Sequence, residues 1–215
     1  CSDKTGTLTE GAVQVYQTTA YDGSPSERVL RLAYLNSVFE SGFVNPIDEA
    51  MRKTGLDVSD FEKLDEVPYD FFRRRLSVLV KRGSGCTMVT KGAFENILEV
   101  CDRVETPDGG IVSLQEIRPV LEQRRRRLNG EGYRVLGVSY RDVSPSERIS
   151  RNDERGMTFA GFLVLFDPLK ENIGETVRRM KELGISLMVV TGDSRLVAAH
   201  LAEAVGLNGA EIGSG

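Results

Sequence analysis

The sequence predicts an α/β protein in two parts, an antiparallel sheet with helices followed by parallel β/α units, and three observations carry this. Residues 76–81 alternate in polarity, Gly83-Ser84-Gly85 supplies a turn, and residues 86–90 alternate again, which is the pattern of a β-hairpin. Residues 144–156 are polar and charged and contain Pro145, so they read as a connection. Beyond them the apolar runs 159–166 and 185–190 alternate with helical stretches 171–183 and 195–205, the rhythm of parallel strands buried on both faces.

The remaining elements follow in chain order. Residues 1–13 are polar, rich in Thr and Gly and loop-like, leading into an alternating strand at 12–17. From 26 to 40, Val29, Leu30, Leu32, Ala33, Val38 and Phe39 recur at helical spacing behind a Ser26 cap, and Pro46 opens a short helix through Lys53. Helices at 93–100 and 114–129 are separated by a Pro107-Asp108-Gly109-Gly110 turn, and 133–140 reads as a strand. The helices at 171–183 and 195–205 stop at Gly184 and Gly206. Arg124 to Arg127 lie on a helix and read as a solvated face.

Composition narrows the function. The chain has 215 residues, 40% of them hydrophobic, enough for real cores. Its net charge of −4 gives no reason to expect nucleic acid or an anionic membrane as partner. The most apolar run, 161–166, stops at Asp167, far short of the ~20 residues a membrane helix needs, so a soluble chain is expected. Cys1, Cys86 and Cys101 are too few and too scattered for a disulfide framework or a zinc site, which points to a reducing compartment. His200, the single histidine, falls within a helical stretch, which argues against Ser-His-Asp or Cys-His catalysis. The first residue is Cys and no leader pattern is present, so the sequence reads as part of a longer chain.

Three polar clusters remain to be explained. Asp3-Lys4-Thr5-Gly6-Thr7-Leu8-Thr9 packs a carboxylate, an amine, three hydroxyls and a glycine into one loop. A carboxylate attacks a phosphoryl group only where the phosphate charge is neutralised, and hydroxyls, freed N–H groups and a cation do this together. A Thr-rich surface turn is the plain alternative. Phe166-Asp167-Pro168 and Val190-Thr191-Gly192-Asp193 each put a small polar cluster directly after an apolar strand, at the carboxyl end where α/β sheets bind ligands.

Together these segments resemble the P-type ATPases, whose phosphorylated loop reads DKTGT and whose later motifs are DPP with a following basic residue, and TGD. The related haloacid-dehalogenase phosphatases carry a second aspartate two positions after the nucleophile, where this sequence has Thr5. Threonine positions phosphate but takes no proton at neutral pH, so an acyl phosphate here is long-lived, as a pump requires.

The resemblance implies a haloacid-dehalogenase-like Rossmannoid phosphorylation domain, incomplete, from residues 1–13 and 157–215. Inserted in it is an α+β nucleotide-binding domain, 14–156, built on an antiparallel sheet. Asp3 would be the nucleophile, organised by Lys4, Thr5, Thr191, Gly192 and Asp193, with Mg²⁺ held by the Asp3 carboxylate and the Thr5 carbonyl. In the insert, Tyr69 matches the family's adenine-stacking ring, with Phe71 as neighbour, and Arg74 its basic residue; ordinary core packing is the alternative for the rings. Lys91-Gly92-Ala93 matches the KGA motif, whose Lys lines the adenine pocket while the Gly lets the base approach the backbone. Asp48 aligns with an acidic residue on the adenine amino group, or else stabilises the first turn of a helix. Arg134, in Gly132-Tyr133-Arg134, would reach the ATP phosphates, or stand as an exposed Arg on a sheet, and Asp167 would sit at the domain hinge.

Asp70-Phe71-Phe72-Arg73-Arg74-Arg75-Leu76-Ser77-Val78 and Asn45-Pro46-Ile47-Asp48 look most like the bacterial magnesium-transporting subgroup. The implied partners are ATP, the cation moved by a membrane domain, and the actuator and transmembrane domains of the same chain. The parent would lie in the cell membrane with this part on the cytoplasmic side. Leu169 replaces the usual second proline, though Lys170 keeps the basic residue, and Ser194 stands where Asn is common. The family's later TGDG-x-ND segment would lie beyond Gly215, and the strand presenting Asp3 would lie ahead of Cys1. A haloacid-dehalogenase-type phosphatase with a large cap, or a nucleotide-binding module without chemistry, are the competing readings.

Overall fold

The structure is a computed structural model that describes residues 1–42, 45–144, 148–192 and 194–207. Pro145 of the expected connection and Asp193 lie outside the described residues. The chain begins with β1 (Ser2–Asp3), a single turn at residues 4–8 and β2 (Gln14–Thr19). Two helices follow, α1 (Glu27–Phe39) and α2 (Pro46–Arg52). The Ser26 hydroxyl accepts the Val29 N–H at 3.2 Å, and the Asn45 side chain accepts those of Ile47 and Asp48, so each helix starts where its cap residue stands.

Next come β3 (Glu62–Asp70), β4 (Arg75–Arg82), β5 (Gly85–Ala93), α3 (Phe94–Leu98), β6 (Cys101–Glu105), β7 (Ile111–Ser113), α4 (Leu114–Gly130), β8 (Arg134–Val143) and β9 (Met157–Phe166). α5 (Ile173–Glu182), β10 (Val189–Val190) and α6 (Arg195–Ala204) complete the described chain. The hairpin of β4 and β5 is as expected: Arg82 faces Gly85, and Gly83 at φ +57 takes the left-handed position of the two-residue turn.

Eight strands form one sheet in the order β3-β4-β5-β8-β9-β6-β7, with β2 along the second half of β9. Helices cover it on both faces. On one side α1 and α2 pack Val29, Leu32, Leu35 and Met51 against Val78, Val89, Val138, Leu163 and Leu165. On the other, α3 and α4 bring Ile97 and Leu121 onto Leu79, Met88, Phe159 and Phe162. Cys86 and Cys101 are buried in this second core as free thiols, and burial pushes Cys101 up to about 12.

This arrangement corrects the placement of 159–166. β9 does not open a parallel β/α unit; it runs antiparallel to β8 and β2 and parallel only to short β6. Its unbroken apolar character comes from being the central strand with a helical layer on each face, a requirement that says nothing about strand direction. β3, β6 and β7 were not foreseen. β3 is a sheet edge whose sequence Glu-Lys-Leu-Asp-Glu-Val-Pro-Tyr-Asp is mostly polar, and β6 and β7 are the arms of a short hairpin around the Pro107–Gly110 turn.

β1 and β10 make a separate two-stranded parallel sheet. Within the described residues, the strand that ends at Asp3 is the pair Ser2–Asp3. The run 185–190 was expected to be buried; only Val189–Val190 form a strand, and Ile185, Met188 and Val190 are about half to two-thirds exposed.

Candidate functional site

The strand-end loop is assembled by register. Parallel pairing sets Ser2 beside Val189 and Asp3 beside Val190, with the Ser2 N–H donating to the Met188 carbonyl at 2.8 Å. Asp3 therefore ends one strand, and Thr191-Gly192 follow the other, at the same carboxyl edge. Beyond Asp3 the chain closes one turn, the Thr9 N–H donating to the Lys4 carbonyl at 3.2 Å, with Gly6 at φ +76. Asp3, Thr5, Gly6 and Thr7 are exposed at its rim, whereas Lys4 and Thr9 are buried beneath it.

The segment after β9 braces this loop from below. Asp167 uses both carboxylate oxygens, accepting the Thr9 hydroxyl at 2.6 Å and the Gly11 N–H at 3.1 Å. The Glu10 N–H donates to the Pro168 carbonyl at 2.8 Å, and the Lys170 N–H to the Leu8 carbonyl at 3.0 Å. The Lys170 ammonium donates to the Gly6 carbonyl at 2.5 Å, so the basic residue retained after Pro168-Leu169 grips the glycine of the loop. Asp167, expected at the domain hinge and among the nucleotide-binding residues, is found here holding the Asp3–Thr9 loop through its carboxylate.

A second cluster stands on the large sheet. Lys91, on β5, is 6% exposed; its ammonium pairs with the Asp48 carboxylate on α2 and donates to Ser37 Oγ on α1 at 2.5 Å. Asp48 is 1% exposed, and its other oxygen accepts the Asn45 side-chain amide. The carboxylate expected to meet an adenine amino group is thus turned inward, where it fixes Lys91. Burial pushes Asp48 up, but the Lys91 ammonium together with bonds from Glu40 and Ser37 holds it below the ordinary range.

Glu40, at the end of α1, was not foreseen. Its side chain is 5% exposed, with Arg52 Nη2 3.8 Å from its Oε1. Burial, and then the neighbouring Asp48 carboxylate, push it up to about 7. At Gly92 a Cβ would lie 2.4 Å from the Arg74 carbonyl and 2.6 Å from Arg75 Cβ, so the adjoining strand by itself requires a glycine there.

At the β3–β4 turn, Tyr69 is 52% and Phe71 86% exposed, their rings edge-to-face at 5.5 Å. Core packing is excluded for both, and Phe72 beside them is 95% exposed. The Asp70 carboxylate accepts the N–H groups of Phe72 and Arg73, which holds it below its usual range. Arg74 sits at φ +48, its N–H donating to the Asp70 carbonyl at 2.6 Å and its carbonyl accepting the Ala93 N–H at 2.9 Å. Arg134 is the exposed first residue of β8, opposite Leu165 and so at the corner of the sheet from which the chain passes to Asp167.

Comparison with known proteins agrees with this geometry. The family described as P-type ATPase, cytoplasmic domain N, matches residues 3–172. A magnesium-transporting ATPase, P-type 1, of Escherichia coli (strain K12) is 38% identical over 224 residues, covering 99% of this chain and 24% of the relative. One from Salmonella typhimurium (strain LT2) is 34% identical over 227 residues, covering 100% and 25%. A calcium-transporting ATPase of Dictyostelium discoideum is 28% identical over 244 residues, covering 96% and 21%. The chain thus spans about a quarter of the length of these relatives. It belongs to the P-type ATPases and carries their cytoplasmic N domain.

Proposed function

We propose that this chain is the ATP-handling part of a cation pump, with magnesium the ion that its bacterial relatives' names suggest. The observation carrying the reading is the register that sets Asp3 and Thr191 at one carboxyl edge, above a loop braced by Asp167 and Lys170. ATP binds on the large sheet, its adenine against the exposed Tyr69 and Phe71 with Lys91 and Arg74 nearby, and Arg134 faces the phosphates. An Asp3 carboxylate oxygen then forms a bond to the γ-phosphorus as the bond to the β–γ bridging oxygen breaks, and ADP leaves with the electron pair. Lys4, Thr5, Thr191, Gly192 and Asp193 organise the phosphoryl oxygens.

The Asp3 carboxylate and Thr5 carbonyl are hard oxygen donors on an exposed rim, a set that suits Mg²⁺, which keeps most of its coordination for water and phosphate. Bound there, the ion would offset phosphate charge. Thr5, having no carboxylate, leaves the acyl phosphate waiting for a domain movement, which sets a pump apart from a fast phosphatase. The pairing of β9 with β8 and β2 supports counting 157–166 with the nucleotide part, which would move its boundary with the phosphorylation part from the expected 156–157 to about 166–167. The parent lies in the cell membrane with these parts on its cytoplasmic side. The full-length parent, given γ-labelled ATP, should form an acid-stable, hydroxylamine-labile phosphoprotein. Asp3→Asn should abolish the label, and label persisting in that variant would remove Asp3 as nucleophile.

A further inference from the structure

Glu154 is the most completely enclosed carboxylate of the sheet end that carries Tyr69, Phe71 and Arg74. Its side chain is fully buried, and it accepts the Arg73 guanidinium with both oxygens at 2.6 Å, Arg75 Nε at 2.8 Å and the Ser77 hydroxyl at 2.7 Å. A buried charge of this kind is tolerated only when paired and hydrogen-bonded throughout, and Glu154 is.

The consequence lies in the residue between its two partners. Arg73 and Arg75 both turn inward, and Arg73 Nη2 also donates to the Pro68 carbonyl at 2.7 Å, one residue before Tyr69. Arg75 Nη1 donates to the Asn96 carbonyl at 3.1 Å. Arg74, between them, is exposed, takes the left-handed backbone conformation, and has no ion pair among the described residues. Its carbonyl lies directly over Gly92, beside Lys91. With three successive arginines on one short turn, nothing local decides which of them faces outward; Glu154 claims the two flanking ones.

We propose that Glu154 is a positioning residue of the nucleotide site, which by holding Arg73 and Arg75 inward leaves Arg74 as the one guanidinium of this turn offered to a nucleotide. This rests on the reading of that turn as the ATP site. Because Glu154 reaches the turn from the segment just before β9, one carboxylate joins a late part of the chain to the aromatic turn about 80 residues earlier.

The test is a double-mutant cycle on ATP affinity, read by calorimetry on the 215-residue chain well below its melting temperature. Arg74→Ala should weaken ATP binding about tenfold, Glu154→Gln by a similar factor, and the double variant no more than Arg74→Ala alone. A purely structural carboxylate would lower the melting temperature and leave affinity unchanged, or weaken binding equally in both backgrounds; either result overturns the proposal. If Glu154→Gln does not fold, Glu154→Asp keeps the charge but shortens its reach, and ATP affinity equal to that of the unaltered chain would overturn it likewise. An unaltered chain that takes up no ATP would overturn the nucleotide reading and this inference together, whereas ATP binding indifferent to Glu154 overturns only the inference.

Discussion

Glu40 shows how far one side chain can depart from its usual chemistry. Buried beside Asp48, its carboxyl holds a proton up to about 7, against 4.5 when unperturbed. The folded state therefore binds more protons than the unfolded one between those values, and stability falls as pH rises through that window. The depressed Asp48 acts in the opposite sense and only at lower pH, its contribution being lost as pH falls below the ordinary carboxylate range. Glu40→Gln, which stays neutral throughout, should remove the first slope: its melting temperature relative to the unaltered chain should rise from pH 5 to pH 8. Parallel curves would show Glu40 ionised in both states. Asp3, Lys91 and Tyr69 stood out in the sequence as candidates because each sits in a short contiguous motif. Glu154 did not, because its partners lie about 80 residues away along the chain, and Glu40 did not, because it is enclosed only once α2 folds back beside α1; in sequence each looks like any solvated acid.

Among the elements, β9 has the most demanding surroundings. It pairs with β8 along one side and with β2 and β6 along the other, and Leu163, Val164 and Leu165 are fully buried. At its middle, a Cβ on Gly161 would lie 2.1 Å from the Thr19 carbonyl and 2.7 Å from Val29 Cγ2, so β2 and α1 both close on the bare backbone. Gly161→Ala should force them apart and cost about 1–3 kcal/mol, read as a lower denaturant midpoint at unchanged slope. An unchanged midpoint would mean that β2 yields freely. The sequence displayed this strand clearly but not its direction, since continuous apolar residues report two covered faces whichever way the neighbours run. β3 went unseen for the converse reason: an edge strand mostly facing water carries little hydrophobic pattern.

For the molecule as a whole, the place where the chain enters and leaves the large sheet decides its autonomy. Gln14 pairs with Phe166, so β2 and β9 bring the two ends of that sheet together, and both hydrophobic cores lie between them in sequence. A polypeptide of residues 14–166 should therefore unfold in a single cooperative transition and bind ATP as the 215-residue chain does, by denaturation and calorimetry. Loss of either property would show that the two-stranded sheet of β1 and β10 supports the larger one. The same pairing has a mechanical corollary. The large sheet is joined to the Asp3 loop by two neighbouring segments, tied by the Thr9–Leu169 bridge and the Asp167 carboxylate, so a pull between them is shared by two tethers where a lone linker would carry it all.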